Sequence, residues 1–263
     1  MTTDIQGFSR APFTHDGHTR DVYRKGEGPA VVVMTEIPGI TPPVIAFAER
    51  VVAEGFTVFM PHFFGTPGKP LSTPYALGQV ARVCISKEFK VLAARASSPV
   101  TDWLRALCRH AHAECGGPGV GAIGMCMTGN FALSLMVDPS VMAPVLSQPS
   151  LPFGVSRAHR AGLHLSDADL ETVKSRCASG VTVLGMRFTH DALCPPQRFE
   201  TLRRELGPAF EGIEIDSGPG NPWNIPRIAH SVVTNDLVDE EGHPTKKALD
   251  RVLAFFRERL LPA

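Results

Sequence analysis

The sequence predicts an α/β fold in which helices cover both faces of a mainly parallel central sheet. Residues 30–35 form a continuous apolar run, as expected for a strand that is buried on both faces. Similar short runs alternate with helix-like stretches along the chain, which is typical of a parallel sheet. The composition, 43% hydrophobic and 20% charged over 263 residues, is that of an ordinary globular protein.

Strands and helices are predicted in alternation. The first helix has two prolines in its first turn, where a missing N–H costs little, and Gly55 ends it. The predicted strands are 30–35, 56–60, 120–123, 141–146, 181–186 and 210–215. The predicted helices are 41–54, 75–94, 99–114, 127–137, one from Ser166, 195–206 and 245–260.

Residues 1–263 are predicted to form a single domain, because no stretch reads as a linker and the length suits one core. Two long connections, at about residues 61–98 and 148–180, interrupt the alternation. Insertions at strand ends are where pockets are usually built, so both are expected to shape the substrate site.

The charge balance gives no sign of a polyanionic partner. Lys plus Arg number 26 and Asp plus Glu number 26, so we expect no nucleic acid and no membrane partner. No apolar run approaches the roughly 20 residues of a spanning helix, and the N-terminus lacks a signal-peptide pattern. The six scattered cysteines do not resemble a disulfide framework. These features predict a reduced, cytoplasmic protein of unknown oligomeric state.

A candidate nucleophile lies in the segment 124–129, Gly-Met-Cys-Met-Thr-Gly. A predicted strand enters it and a predicted helix leaves it, as in the sharp strand-to-helix turn called a nucleophile elbow. This turn would expose Cys126 above the carboxyl edge of the sheet, beside a helix N-terminus that favours a thiolate. The N–H of Met127 would then be placed to bind an oxyanion. The alternative is a buried structural cysteine in a glycine-rich turn.

The remaining members of a triad follow in the expected order. Asp191 comes directly after the predicted strand 181–186 and its loop, and His230 lies at the end of the loop after the last strand. The alternatives are an N-cap aspartate and a solvated loop histidine. The order Cys126, Asp191, His230 is that of the α/β-hydrolase fold.

Four segments give the chain its resemblance to the dienelactone hydrolase (carboxymethylenebutenolidase) family. They are 35–39 (Thr-Glu-Ile-Pro-Gly), 124–129, 191–195 (Asp-Ala-Leu-Cys-Pro) and 229–231 (Ala-His-Ser). The resemblance implies an α/β-hydrolase fold, no cofactor, and hydrolysis of a small ester or lactone through a cysteine thioester. It places Glu36 beside the Cys126 thiol and assigns the oxyanion hole to the N–H groups of Ile37 and Met127.

Glu36 also has a physical interpretation as a gate. A carboxylate beside the thiol opposes its ionisation, so the resting cysteine would stay protected until substrate displaces the carboxylate. His230 would then pair with the activated thiolate.

Three residues are predicted to contact the substrate. Members of the family that act on the carboxylated lactone hold it with two arginines, and Arg82 resembles one of them. The second follows the histidine in the family, whereas residues 230–235 here (His-Ser-Val-Val-Thr-Asn) contain no arginine. Arg227 is its candidate replacement, with a solvated arginine as the alternative. His62 follows a strand at the carboxyl edge, where it lines the pocket or merely packs at the surface.

Three competing interpretations have to be weighed. A metal site at Cys108, His112 and Cys115 is disfavoured, because ligands on one helix rarely close a tetrahedron. A general carboxylesterase or thioesterase is the nearest alternative activity. A PfpI-like cysteine sensor or binding protein without turnover is the alternative from another class, and its thiol would form sulfenic acid readily.

Overall fold

A single eight-stranded sheet organises the structure, a computed structural model that describes residues 4–85, 89, 92 and 98–261. The strands are β1 (Ser9–His15), β2 (His18–Lys25), β3 (Ala30–Met34), β4 (Thr57–Pro61), β5 (Val120–Met125), β6 (Val141–Ser147), β7 (Val183–Phe188) and β8 (Phe210–Ile215). Their spatial order is β1-β2-β4-β3-β5-β6-β7-β8.

Six of these strands, β3 to β8, run parallel to one another. Their carboxyl ends therefore share one edge of the sheet, where ligand sites of open α/β sheets lie. The strand β2 pairs antiparallel with β4, and β1 pairs antiparallel with β2. The predicted mainly parallel sheet is confirmed.

The β1–β2 hairpin was not among the predicted elements. The strand β1 is largely exposed and β2 buries only Val22 and Tyr23, so both lack the continuous apolar runs that identify the buried strands. The signal that was available is the turn Asp16-Gly17, whose two residues both have positive φ, at 46° and 76°. An Asp-Gly pair in this conformation is a preferred two-residue hairpin turn.

Helices cover both faces of the sheet. They are α1 (Pro42–Ala53), α2 (Thr73–Ile85), α3 (Val100–Cys115), α4 (Phe131–Leu135), α5 (Arg157–Ala161), α6 (Asp167–Ala178), α7 (Pro196–Leu206) and α8 (Pro244–Leu260). Phe47 of α1 and Phe256 of α8 pack with Val33 on one face. Trp103 of α3 and Phe131 of α4 belong to the core of the other face.

Two predicted helices differ from the structure. The helix predicted at 127–137 is shorter, because residues 126–128 form a 3-10 turn and α4 begins only at Phe131. Those residues belong to the sharp turn at Cys126, which is described below. The helix predicted at 75–94 begins at Thr73 and is described to Ile85, and most of its remainder lies outside the described residues.

Arg198 of α7 holds the long connection after β6. Its guanidinium is fully buried and donates to the carbonyl oxygens of Pro149 (2.6 Å), Pro152 (2.6 Å), His159 (3.1 Å) and Gly162 (2.9 Å). Burial lowers the pKa of this guanidinium to about 10, so it remains charged at neutral pH. Charge-assisted bonds of this kind are roughly twice as strong as neutral ones. They fix the backbone of residues 149–162 against α7.

Candidate active site

The backbone at Cys126 has the conformation of a nucleophile elbow. Cys126 follows β5 directly and has φ of 56°, a left-handed conformation that is uncommon for a residue other than glycine. Such local strain is held only where the surroundings over-determine it, and it is found mostly at functional sites. The side chain is 9% exposed and begins a 3-10 turn, Cys126–Thr128.

Thr128, which takes the place of the usual second glycine of the elbow, fastens this turn to the sheet. Its buried hydroxyl oxygen accepts from the Met125 N–H at 2.9 Å and lies 2.9 Å from the carbonyl oxygen of Met34, to which it donates. The φ angle of Thr128 is not positive, so its β-branched side chain is not strained by a left-handed backbone conformation. The threonine therefore joins the elbow to the end of β3.

Glycine is required at both ends of the elbow by close packing. A Cβ at Gly124 would overlap the carbonyl oxygen of Thr128, and one at Gly129 would overlap the backbone of Pro149.

We therefore expect Gly124→Ala to lower the free energy of unfolding by about 1–3 kcal/mol. Gly78→Ala on the exposed part of α2 is the control, since its Cβ meets nothing and alanine gains about 0.5–1 kcal/mol. Thermal unfolding of both variants measures the difference, and equal shifts would contradict the packing argument.

Asp191 and His230 are brought together from two loops. His230 Nδ1 lies 2.7 Å from Asp191 Oδ2, and Asp191 Oδ1 also accepts the N–H of Leu193 at 2.9 Å. Asp191 is 6% exposed. It does not cap a helix, because the N-cap of α7 is Pro195. The carboxylate of Asp191 is thus within hydrogen-bond distance of the imidazole, with no helix end to cap.

The loop that carries His230 is held by a second acid. Asp236 Oδ2 accepts from the backbone N–H groups of His230 and Ser231, both at 2.8 Å. The Nε2 atom of His230 is buried and has no partner of full hydrogen-bond geometry within the described residues. Cys126 nonetheless lies close enough to interact with the ring. A loose contact of this kind is common in enzymes without bound substrate.

The pKa of His230 lies well above its ordinary value, about 6.5. Burial lowers this pKa, but the negative charge of Cys126 and the hydrogen bond to Asp191 outweigh it. This direction means that Cys126 and Asp191 together favour the protonated form of the imidazole.

We expect Cys126→Ala to lower the pKa of His230, because the charge that raises it most is removed. Since the folded pKa exceeds the unfolded one, the protonated ring stabilises the fold below pH 6.5, and this contribution is lost as the pH rises through the folded pKa. NMR titration of the ring protons measures the pKa in both proteins. An unchanged value would contradict an electrostatic interaction between Cys126 and His230.

Ile37 and Met127 lie on segments that meet at the carboxyl edge. Thr128 contacts the carbonyl oxygens of Met34 and Thr35, so the elbow touches the start of the loop that carries Ile37. Met127 is the second residue of the 3-10 turn, and the first N–H groups of such a turn have no acceptor within it. The segments that carry Ile37 and Met127 therefore meet at the carboxyl edge of the sheet, beside Cys126.

Glu36 is 1% exposed, and it accepts hydrogen bonds from four side chains. Oε2 accepts from Ser231 Oγ at 2.6 Å and Gln148 Nε2 at 3.2 Å. Oε1 accepts from Asn235 Nδ2 at 3.0 Å and from the Thr234 hydroxyl. Within the described residues, Cys126 is not among its hydrogen-bond partners.

Two of the three predicted substrate contacts, Arg227 and His62, have no hydrogen bond to this cluster within the described residues. Arg82 belongs to α2, and its side chain is outside the described part of the chain. Arg227 is exposed, three residues before His230. His62 is half-buried, and its Nε2 lies 3.0 Å from the carbonyl oxygen of Gly65 in its own turn. The described residues contain no group of three potential ligands that could hold a metal ion.

Comparison with known proteins identifies the family of this chain. A model of the dienelactone hydrolase family matches residues 20–259. The chain belongs to the dienelactone hydrolase family. It is therefore a carboxylic ester hydrolase that acts on esters or lactones.

Individual relatives of this dienelactone hydrolase family member are distant. It is 25% identical over 196 residues to the "Putative carboxymethylenebutenolidase" of Saccharomyces cerevisiae, covering 73% of this chain and 69% of that protein. The crystal structure of a dienelactone hydrolase from Anabaena variabilis is 12% identical, with a TM-score of 0.61 over 96% of this chain and 98% of the other. The "Putative Dienelactone Hydrolase" of Klebsiella pneumoniae is 18% identical, with a TM-score of 0.62 over 95% and 98%. The two structures show that the fold is that of the α/β hydrolases.

Sequence reasoning missed several polar residues of this hydrolase site. Gln148 follows β6 directly, at the carboxyl edge of the sheet, and has φ of 34°. Asp236 and the three other donors to Glu36 lie within six residues of His230. The available signal was their position at strand ends and beside the histidine, but their residue types are common in loops.

Proposed function

We propose that the chain cleaves a small ester or lactone through a thioester on Cys126, with His230 as the base and Asp191 as its orienting acid. The observation that carries this proposal is the 2.7 Å contact between His230 Nδ1 and Asp191 Oδ2 beside a left-handed Cys126. A sensor cysteine needs no such oriented imidazole, so the arrangement favours turnover.

The reaction follows from the positions of these groups. The Cys126 thiolate attacks the acyl carbon, a C–S bond forms, and the carbonyl oxygen becomes an oxyanion facing the N–H groups of Ile37 and Met127. When the intermediate collapses, the C–O bond breaks and the His230 imidazolium protonates the departing alkoxide. Water then attacks the thioester while His230 takes its proton, and the acid and the Cys126 thiolate are released.

The substrate preference is a separate part of the proposal. Arg227 is an exposed cation near His230, and with Arg82 it is our proposed contact for a substrate carboxylate, with His62 near the same edge. The remainder of the sequence-based proposal is a single domain over residues 1–263 and a cytoplasmic location without nucleic acid or membrane partners. No helix in the described residues is both long and apolar enough to cross a bilayer.

Trapping the acyl enzyme tests the mechanism. The protein is mixed with p-nitrophenyl acetate, quenched in acid within the first turnover, digested and analysed by mass spectrometry. We expect one acetyl group on the peptide that contains Cys126, and the ratio of rates on p-nitrophenyl acetate and a dienelactone shows whether an anionic lactone is preferred. Absence of both turnover and acetylation, with ready oxidation of Cys126 by peroxide, would favour the sensor instead.

A further inference from the structure

The carboxylate of Glu36 is saturated by protein donors. A carboxylate offers about four acceptor positions, two on each oxygen. Here Oε2 takes Ser231 and Gln148, and Oε1 takes Thr234 and Asn235. No acceptor position is left for the Cys126 thiol. If the carboxylate moved to the thiol, it would have to release some of these donors. Glu36 is 1% exposed, so water would not replace them.

Three of the four donors belong to the loop that carries His230. Ser231, Thr234 and Asn235 follow the histidine within five residues, in the stretch that contains no arginine. Ser231 also donates its backbone N–H to Asp236, which holds the His230 N–H in the same way. The two acids therefore bind different groups of the loop. Asp236 holds its backbone, and Glu36 holds its side chains.

The fourth donor connects the loop to the sheet. Gln148 follows β6, and its Oε1 accepts from the hydroxyl of Ser147 and from the Val232 N–H at 3.4 Å. Its Nε2 donates to Glu36, which follows β3. The ends of two strands are thereby connected to the loop of His230 through one buried carboxylate.

We propose that Glu36 is a positioning residue that locks the His230 loop, and that it does not shield the thiol in the resting enzyme. The part of this proposal that concerns catalysis rests on the proposed function of Cys126 and His230. The thiol then has His230 as its proton acceptor before any substrate arrives, so the resting enzyme is already active toward electrophiles. This differs from the gate that the family resemblance implies.

The two models predict opposite effects of Glu36→Gln on the alkylation of Cys126 by iodoacetamide. The variant keeps the size of the side chain but loses the charge and one acceptor group. A gate removed in this way would accelerate alkylation. If Glu36 instead positions the His230 loop, Glu36→Gln slows the alkylation of Cys126 by about tenfold at neutral pH. The reason is that His230 is then less well held against the thiol. The pH midpoint of alkylation is also expected to move upward in the variant.

A matched pair of threonine variants keeps the test independent of the folding of Glu36→Gln. Thr234→Val removes one donor to Glu36 and is expected to slow alkylation in the same direction. Thr201→Val is the control, since its hydroxyl donates only within α7, to the carbonyl oxygen of Gln197. Faster or unchanged alkylation in Glu36→Gln or Thr234→Val would overturn the lock.

Steady-state kinetics separates positioning from substrate contact. In Thr234→Val we expect kcat to fall while KM changes little, because the lock touches His230 and not the substrate. A rise in KM alone would overturn the assignment. The alkylation assay does not depend on turnover. If the wild type hydrolyses no ester while Glu36→Gln still slows alkylation, the proposed function fails and the lock stands.

Discussion

Replacing Cys126 by alanine is expected to reduce kcat/KM for ester hydrolysis by at least about 10⁴-fold. The variant lacks the only thiol of the elbow segment 124–129 and cannot form a thioester, and the oxyanion donors alone give little acceleration. Initial rates on p-nitrophenyl acetate measure the loss. Unfolding by heat, followed by circular dichroism, establishes that the variant is folded.

The matched control for this loss is another cysteine. Cys177 is half-buried on α6, and burial raises the pKa of its thiol, so it has no reason to act as a nucleophile. Cys177→Ala should hydrolyse the ester at the rate of the wild type. If Cys126→Ala retained most of the activity while Cys177→Ala lost it, the assignment of the nucleophile would be wrong.

Asp191→Asn is expected to lower kcat by about 10³- to 10⁴-fold. The amide can accept through its oxygen or donate through its nitrogen, so the 2.7 Å contact no longer enforces one tautomer of His230. The variant also removes a hydrogen bond and a charge that raise the pKa of His230, so we expect that pKa to fall. Stopped-flow acylation and NMR titration measure the two effects.

Asp216 offers a matched control for this substitution. It directly follows β8, at the same edge of the sheet as Asp191, and its Oδ1 accepts the N–H of Gly218 at 2.8 Å. Asp216→Asn therefore removes an acid at a strand end that has no hydrogen bond to His230. A loss of activity in Asp216→Asn as large as that in Asp191→Asn would show that the triad is assigned incorrectly.

The sequence predicted those features that depend on the local pattern of residues. The buried strands, the elbow at Cys126 and the order of Asp191 and His230 all follow from periodicity, turn chemistry and the topology of a parallel sheet. These features depend on neighbours along the chain. The parallel sheet with helices on both faces is confirmed in the structure.

Polar contacts between residues far apart in the sequence could not be predicted in the same way. The four donors to Glu36 come from segments 112 and 195–199 residues away along the chain. Ser, Thr, Asn and Gln are common in loops for local reasons, so their type does not reveal a buried partner. The exposed hairpin before β3 was missed because it has no apolar run, and the length of α4 was overestimated because the elbow uses the residues before it.

The buried guanidinium of Arg198 has a consequence for substrate selection. The backbone of residues 149–162, part of the proposed pocket wall, is already immobilised before a substrate arrives. A substrate then gives up little affinity to order this wall, and the wall in turn adapts little to it. Discrimination would come from steric exclusion, so activity should drop abruptly along a series of acyl groups of increasing length. A site closed by a mobile lid would show a gradual decline.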